Sequence, residues 1–431
     1  MIKKMRHWLS PDSPFASVLY LQKGDDPVLD GLRGISILLI ILFHSFYGAA
    51  YVLRDAERIE EFLNAVPGVL AFVFTSEKAV DIFFLVSGFL LGKSLLAEWV
   101  RNGRIHVQKF YVRRLFRIVP LFYLALIIYS PINVSRSLKN LWVNLLFIDN
   151  YWGKMIIPVG WSLSIEMQFY LILPFLIAFL VKRSRPLLWL MSGVGVAYGI
   201  QAIVCLLVPE IYQTPFSGFI TKQVNPDIFM VNYYYPTQVR FGPLLMGVTW
   251  GWLSFRSDQG EGGLQRTSTL WPWVIGCISL GFIGIGSYFP SYQSESYFNQ
   301  HLSENMNFRA MVLHRNTYAL GWLGVLVVVH VMQHGGAVWA MIRKLLSFRL
   351  WRPFSQCVFP MFLFHFPMII IAGYLVIQKD ANNQVAMLSL GEVFLIFLIS
   401  SVLSLILGML LHFTIELPMI RRGKALAKRM N

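Results

Sequence analysis

Two ionisable side chains, Arg33 and His44, lie eleven residues apart in the apolar stretch from Asp30 to Ser45. At about 100° per residue, eleven helical steps come to roughly 1100°, within about 20° of three full turns. Both side chains are therefore expected on one helix face, separated by roughly 16 Å along the axis. An arginine at the end of such a helix can hold an anion, and a histidine near its middle can act as a general base.

Three further ionisable residues fall inside apolar runs at an expected depth similar to that of His44. Asp81 lies in VDIFFLVSGFLLG, Glu166 in GWSLSIEMQFYLILP and His365 in MFLFHFP. An ionisable group deep in a membrane costs a few kcal/mol unless it faces a polar cavity or a partner. The four residues together therefore predict a shared polar cavity, and a network that only fixes helix packing is the alternative.

A cluster of arginines opens the third apolar run, in the segment KFYVRRLFRIVP. It contains Arg113, Arg114 and Arg117. Guanidinium groups present planar forks of donors that suit phosphate groups. Ordinary enrichment of positive charge in cytoplasmic loops explains Arg101 and Arg104 well. It explains Arg114 and Arg117 less well, since these two lie three residues apart on one helix face and enter the apolar run.

The composition identifies the chain as a polytopic membrane protein. Its 431 residues are 56% hydrophobic and 14% charged, and the mean hydropathy is +0.57. The net charge of +15 resembles that of nucleic-acid-binding proteins, but the basic residues form short clusters between apolar runs, so no nucleic acid is expected. The three cysteines, Cys205, Cys277 and Cys357, lack metal-ligand spacing, and neither a disulfide nor a metal site is expected.

Apolar runs of about 17 to 25 residues predict about ten transmembrane helices in an all-α protein. The predicted spans are 32–52, 69–94, 115–130, 161–181, 187–208, 239–256, 271–289, 317–333, 356–377 and 389–412. The segment 141–152 is too short to cross and contains polar residues, which indicates a re-entrant or interfacial helix. Residues 1–431 are expected to form a single transmembrane domain.

Loop charges predict the orientation. Ten crossings put the N-terminus, the loops near 101–114, 182–186 and 343–352, and the tail near 421–429 on one side, and all of these are basic. The positive-inside rule makes that side the cytoplasm, so both termini are expected there, with the protein integral to the cell (inner) membrane. The N-terminal segment, interrupted by Pro11 and Pro14, is not expected to be a removable signal peptide. Acceptor selection is expected in the long, aromatic-rich outer loops 209–237 and 290–316.

With these elements the chain resembles the acyltransferase-3 family of integral membrane acyltransferases. The resemblance rests on Arg33 and His44 as an Arg-x10-His element, on VDIFFLVSGFL, on Arg114 and Arg117 as an Arg-x-x-Arg element, and on WSLSIEMQFYLILP with Glu166. The HFP around His365 and the IELP around Glu416 are weaker matches, and Met167 stands where members often carry a second glutamate. Longer members carry a fused esterase-like domain, and this chain is expected to be the stand-alone form.

The resemblance implies an acyl-CoA donor, usually acetyl-CoA, that arrives from the cytoplasm. It implies a membrane-embedded reaction with a hydroxyl of a cell-surface glycan or glycolipid as acceptor, for example a polysaccharide or lipopolysaccharide of the cell envelope. In this interpretation His44 is the general base, and Glu166 or Asp81 orients its imidazole. The donor-binding residues would be Arg33, Arg113, Arg114, Arg117 and His365. A covalent acyl-histidine is a variant of this scheme.

Two other functions are alternatives. A transporter or flippase would use His44, Asp81, Glu166 and His365 as a proton relay and the arginines as an anion gate. A non-catalytic partner in polysaccharide export accounts for the number of spans but not for the buried ionisable residues. Labelled acyl-CoA offered with candidate glycans distinguishes the three, because only an acyltransferase releases CoA as it transfers the acyl group.

Overall fold

A computed structural model describes residues 16–21, 25–259, 270–331, 336–378 and 385–430 of the chain. The regular structure of these residues is helical throughout, without a β-strand among them. The prediction of an all-α membrane protein is confirmed.

Fourteen α-helices of ten or more residues form the body of the described chain, and they are labelled in chain order. They are α1 (Pro27–Leu53), α2 (Ala56–Ala65), α3 (Ala79–Asn102), α4 (Val107–Tyr129), α5 (Val134–Leu145), α6 (Gly160–Leu180), α7 (Pro186–Leu207), α8 (Gly242–Asp258), α9 (Leu270–Tyr288), α10 (Glu304–Val331), α11 (Ala337–Leu346), α12 (Val358–Val376), α13 (Leu390–Leu411) and α14 (Leu417–Arg429).

Other helical segments connect these helices. The 3₁₀ segments are Gly68–Lys78, Ser130–Asn133 and Asp149–Tyr151, and the π segments are Met230–Tyr234 and His412–Glu416. Brief α-helical segments are Ala16–Leu19, Glu210–Gln213, Phe216–Ile220, Pro226–Phe229, Thr237–Arg240, Tyr297–His301 and Trp351–Gln356.

Nine helical stretches in the described chain are long and apolar enough to cross a membrane, against the ten that the sequence predicts. The difference is the predicted span 239–256. It corresponds to α8, which has 17 residues and falls at the lower limit of a crossing helix. The other nine predicted spans each overlap one of the nine stretches.

Several predicted boundaries differ from the observed ones, chiefly because charged and polar residues extend helices beyond their apolar runs. The largest difference is at α10, which begins at Glu304 rather than at residue 317. Helix α4 begins at Val107 rather than at residue 115, since its first two turns carry basic residues. The short helix predicted at 141–152 is α5, Val134–Leu145, followed by a separate 3₁₀ turn. Apolar runs locate the part of a helix that suits hydrocarbon, whereas the hydrogen-bonded helix continues past it.

Helix α1 is fixed at its N-terminus by capping and by ion pairing. The Asp26 carboxylate accepts a hydrogen bond from the backbone N–H of Val28 at 3.0 Å, and Pro27 occupies the first turn. One turn later Asp30 accepts from Arg352 at 2.7 Å and from Ser355 at 2.6 Å. These contacts bind α1 to the Trp351–Gln356 helix and set the position of the next turn of α1.

Helices α3 and α8 pack with their backbones in contact. A Cβ atom on Gly88 would lie 2.1 Å from the carbonyl oxygen of Leu244, so only glycine fits there. Because Gly88 faces α8, its neighbour Ser87 points about 100° away around the helix. That direction leads to the cavity described next.

Candidate active site

A polar cavity of about 320 Å³ lies between α1, α3, α4, α6 and α12. Its polar lining consists of Arg33, Ser87, Ser94, Arg114, Arg117, Ser162, Glu166 and Tyr170. The rest of the wall is apolar and includes Phe83, Phe84, Phe359 and Phe362. Five helices therefore meet at one site, and each of them carries one of the sequence elements singled out above.

Three arginines give the cavity a strong positive charge, because its lining contains a single carboxylate. Among the described residues, no hydrogen bond or ion pair engages Arg33, Arg114 or Arg117, and the buried Nε of Arg114 has no acceptor. The guanidinium of Arg114 lies over the rings of Phe110 and Tyr170, 5.7 and 6.0 Å from their centroids. Guanidinium groups without partners in such a cavity suit a phosphate-bearing ligand.

The carboxylate in the cavity is that of Glu166. Its Oε1 atom accepts a hydrogen bond from Ser87 at 2.6 Å and another from the Tyr170 hydroxyl, one turn along α6. The other oxygen, Oε2, has no hydrogen-bond partner in the described part of the chain. Glu166 therefore ties α3 to α6 and keeps one carboxylate oxygen without a hydrogen-bond partner among the described residues.

A polar network outside the apolar run fixes the start of α6, and with it the height of Glu166. The Asp149 carboxylate accepts a hydrogen bond from Ser164, and the Gln168 amide donates to Asn150 at 3.0 Å. Burial raises the pKa of Asp149 to about 6, although the Ser164 hydroxyl opposes this rise. The polar residues of the segment 141–152 thus position the helix that carries the glutamate.

His44 and His365 form a hydrogen-bonded pair. Nδ1 of His44 lies 3.0 Å from Nε2 of His365, and Nδ1 of His365 lies 2.7 Å from the carbonyl oxygen of Phe362. A carbonyl oxygen only accepts, so a neutral His365 carries its proton on Nδ1 and accepts at Nε2. His44 must then donate from Nδ1, which leaves a lone pair on its Nε2. This tautomer is the one that a general base requires.

Phe362 joins the histidine pair to the cavity. Its ring lines the cavity, and its centroid lies 5.9 Å from that of His365 and 6.3 Å from that of Phe83. His44 itself does not line the cavity. The two sites are neighbours along α1 with aromatic rings between them.

Asp81 belongs to a different cluster. Its carboxylate pairs with Arg240 at 3.1 Å and with Arg315 at 3.2 Å, and Arg315 also pairs with Glu77 at 2.8 Å. Nζ of Lys78 donates to two backbone carbonyls nearby. The four paired side chains are buried, so Asp81 neutralises arginines instead of contacting an imidazole.

The prediction of one shared cavity for four ionisable residues is therefore wrong. Glu166 lies with the arginines, His44 with His365, and Asp81 in the buried ion cluster. Neither carboxylate hydrogen bonds His44 in the described chain, and His365 occupies the place expected for one. The rise per residue of a helix predicted only the depth of each of these groups. The direction in which each side chain points from its helix places them in separate clusters.

Two of the expected donor-binding residues lie outside the cavity. His365 has 0% exposure and both ring nitrogens hydrogen-bonded, so it has no atom left for a donor. Arg113 lies outside the cavity, 3.7 Å from Glu98, in an adjoining groove.

The groove has a volume of about 710 Å³ and shares Leu91, Ser94 and Arg114 with the cavity. Its basic lining comprises Arg101, His106, Lys109, Arg113, Arg114, Lys424 and Lys428. Its carboxylate, Glu98, accepts hydrogen bonds from the backbone and the ring of His106. The groove and the cavity form a continuous basic path from the surface to Glu166.

Sequence reasoning missed several of these residues. Lys424 and Lys428 were counted only as tail charge, although they lie one turn apart on α14 and face the groove. Arg240 and Arg315 are ionisable residues next to or within apolar runs, and that signal would have identified both. Glu416, a weaker match to the family pattern, pairs with His412 at 2.7 Å outside the cavity.

Comparison with known proteins gives one family match and several relatives. The model of the family described as "Acyltransferase domain" matches residues 26–413. A relative named peptidoglycan O-acetyltransferase OatA, from Listeria monocytogenes, is 31% identical over 192 residues, which are 39% of this chain and 27% of the relative. A relative from Staphylococcus aureus named O-acetyltransferase OatA is 29% identical over 179 residues, or 37% of this chain and 26% of the relative.

The alignments thus span about a quarter of the length of these relatives. No solved structure matches the chain.

Proposed function

The chain belongs to the acyltransferase family whose model spans residues 26–413, and on that premise we propose that it is a membrane O-acetyltransferase. The donor is cytoplasmic acetyl-CoA or another acyl-CoA, and the acceptor is a hydroxyl of a glycan or glycolipid of the cell envelope. The relatives named as O-acetyltransferases support this choice of reaction. The observation that carries the proposal is the continuous basic groove and cavity that leads to Glu166, with the Phe362 ring between the cavity and the His44–His365 pair.

The donor carries charge at its 3′-phosphate and at its diphosphate, and its pantetheine arm is uncharged. Different parts of the basic path suit each of these regions. The groove, with its lysines on α4 and α14, receives the nucleotide and its 3′-phosphate. Arg114 and Arg117 bind the diphosphate at the junction of groove and cavity, and the pantetheine arm occupies the cavity along Arg33. The thioester then lies next to the Phe83 and Phe362 rings, which must move aside to admit it to His44.

In the transfer step His44 acts as general base through Nε2. The acceptor oxygen attacks the thioester carbonyl carbon and its proton passes to Nε2 of His44. The tetrahedral intermediate then collapses, the carbon–sulfur bond breaks, and the CoA thiolate takes the proton from Nε2. No oxidant or metal is needed, and the base returns to its neutral form.

His365 holds His44 in the required tautomer. As His44 becomes protonated, its Nδ1–H continues to donate to Nε2 of His365, which stabilises the imidazolium. Glu166, with its free Oε2, acts on the donor side of the cavity.

We assign the Arg33 end of α1 to the cytoplasm, with both termini on that side of the inner membrane. The basic lining of the groove and of α14 supports this orientation under the positive-inside rule. Helix α8 provides the tenth crossing, since its 17 residues pack against the full-length helix α3. The acceptor is then bound from the opposite face.

A proton relay through His44, Asp81, Glu166 and His365 is not favoured. These residues are divided among three clusters, and hydrogen bonds link only His44 with His365 in the described chain. A transporter therefore lacks a connected path here.

The experiment that tests the function uses the purified full-length protein in nanodiscs with acetyl-labelled acetyl-CoA and envelope glycans. We expect CoA release together with alkali-labile acetate on the glycan. Movement of a substrate across the membrane without CoA release would contradict the proposal.

A further inference from the structure

A second hollow lies at the other end of α1 from Arg33. Its volume is about 340 Å³, and its lining includes Tyr47 and Tyr51 of α1, Arg54 directly after the end of α1, and the loop residue Lys222. Arg33 and Tyr51 are eighteen residues apart on one helix, or roughly 27 Å, close to the thickness of a bilayer core. The hollow and the donor cavity therefore lie at opposite membrane faces.

The hollow shares a helix face with His44. Tyr47 and Tyr51 follow His44 by three and seven residues, so these three side chains fall within about 60° around α1. The Tyr47 ring stacks on Phe43 at 5.7 Å, and the Phe43 ring lies 4.9 Å from the His44 imidazole. The wall of the hollow thus begins one helical turn above the proposed base.

The chemistry of the lining is aromatic and cationic. Two tyrosines contribute ring faces and hydroxyls, and Tyr51 is 64% exposed. Arg54 and Lys222 are exposed, and neither forms a hydrogen bond or ion pair through its side chain with the described residues. Nζ of Lys222 lies 5.4 Å from the Tyr51 ring centroid. The lining contains no carboxylate.

The backbone at the two cations is unusual. Arg54 has φ of 62° and Lys222 has φ of 61°, a region that residues with side chains seldom adopt. Of the three non-glycine residues with positive φ in the described chain, two line this hollow. Such strain persists where the surrounding structure enforces it, and it concentrates at functional sites. Here it aims two positive charges at one space.

We propose that this hollow is the acceptor subsite and that it binds an anionic sugar, one that carries a carboxylate or a phosphate, with a hydroxyl extended to His44. The tyrosine faces stack on the sugar ring, and Arg54 and Lys222 bind its anionic group. The buried side chains Ile59 and Phe219 form the apolar floor. This proposal rests on the proposed O-acetyltransferase function.

The test measures sugar binding directly, with the full-length protein in nanodiscs of uncharged lipid. Isothermal titration compares oligogalacturonate with its methyl ester, which removes only the charge, and galactose 6-phosphate with galactose. We expect at least about tenfold tighter binding of one anionic member over its neutral partner, as paired charges in a partly buried site provide. The arm that shows the preference identifies carboxylate or phosphate as the anionic group.

Variants test whether residues of the hollow cause the preference for the anionic sugar. Lys222→Glu should abolish the preference for the anionic sugar, and Lys222→Arg should keep it. Tyr51→Ala should weaken the binding of both the anionic sugar and its neutral partner about fivefold. Lys139→Glu and Tyr374→Ala are matched controls, because both side chains are exposed and lie outside the hollow. The preserved binding of the Lys222→Arg variant also shows that the fold tolerates exchange at this position.

Three results would overturn the subsite. They are equal affinity for charged and neutral sugars in the wild type, a Lys222→Glu variant that keeps the preference, and binding of phosphatidylglycerol that the anionic sugar does not displace. Acetyl-CoA binding to the wild type is measured in the same preparation. Its absence overturns the proposed function, whereas the sugar titrations decide the subsite independently.

Discussion

Nε2 of His365 lies 3.0 Å from Nδ1 of His44, and the Phe362 carbonyl fixes the proton of His365 on the other nitrogen. His44 thus donates to His365, which in turn donates to the Phe362 carbonyl, and the lone pair on Nε2 of His44 remains free. A neutral imidazole takes the place that a carboxylate fills in hydrolase triads. In an apolar wall this choice avoids the burial of a second charge, which would cost several kcal/mol.

Removal of the base should eliminate transfer and leave donor binding intact. We expect His44→Ala to lower kcat for acetyl transfer at least about a hundredfold, the range of general-base catalysis. The Kd of acetyl-CoA should change less than about twofold, because the arginine cavity does not include His44. The exposed His301 provides the control, as His301→Ala. Substantial transfer by a folded His44→Ala protein would refute the assignment.

His365 should act through His44, not through the donor. We expect His365→Ala to lower kcat about tenfold or more with the KM for acetyl-CoA unchanged, because the imidazole loses its acceptor. His365→Gln should recover part of the rate, since an amide oxygen can accept from Nδ1 of His44. A purely structural role predicts equal loss in both variants, so steady-state kinetics of the two separates the possibilities.

The cavity arginines should determine donor affinity. We expect Arg117→Ala and Arg114→Ala each to raise the Kd of acetyl-CoA about tenfold, or about 1.4 kcal/mol, through loss of charge-assisted hydrogen bonds to phosphate. Arg104 is exposed and outside the cavity and groove, so Arg104→Ala is the control. Unchanged affinity in both cavity variants, measured by calorimetry, would remove the phosphate-binding role.

The groove lysines should recognise the 3′-phosphate of CoA. We expect the wild type to bind acetyl-CoA about tenfold more tightly than acetyl-dephospho-CoA, and Lys424→Glu with Lys428→Glu to lose that preference. Arg422→Glu lies on the same helix outside the groove lining and should keep it. A double variant that still discriminates the two donors places the 3′-phosphate elsewhere.

Asp81 should be essential for stability. Asp81→Asn leaves Arg240 and Arg315 with less negative charge in a buried cluster, and we expect a loss of about 3 to 5 kcal/mol in free energy of unfolding. Asp258, 58% exposed and paired with Lys93, is the control, and Asp258→Asn should cost at most about 1 kcal/mol. Thermal unfolding in detergent measures both. Equal Tm values for the two variants would contradict the structural role of Asp81.

Much of the fold follows from the sequence. Apolar runs of sufficient length identified nine of the membrane-crossing stretches within a few turns, because hydrocarbon requires such runs whatever the packing. They placed helix ends less well. Charged first turns, as in α4, are helical by hydrogen bonding although they carry no hydropathy signal.

The sequence by itself determined that Arg33 and His44 share a face of one helix and that arginines gather at one end of it, since both results need only helical periodicity and spacing. Only the tertiary structure decided which side chains each of them contacts. The packing of the helices pairs Asp81 with Arg240 and brings His365 to His44. Depth along a helix is a local property of the chain, whereas the partner of a buried side chain depends on how the helices rotate against one another.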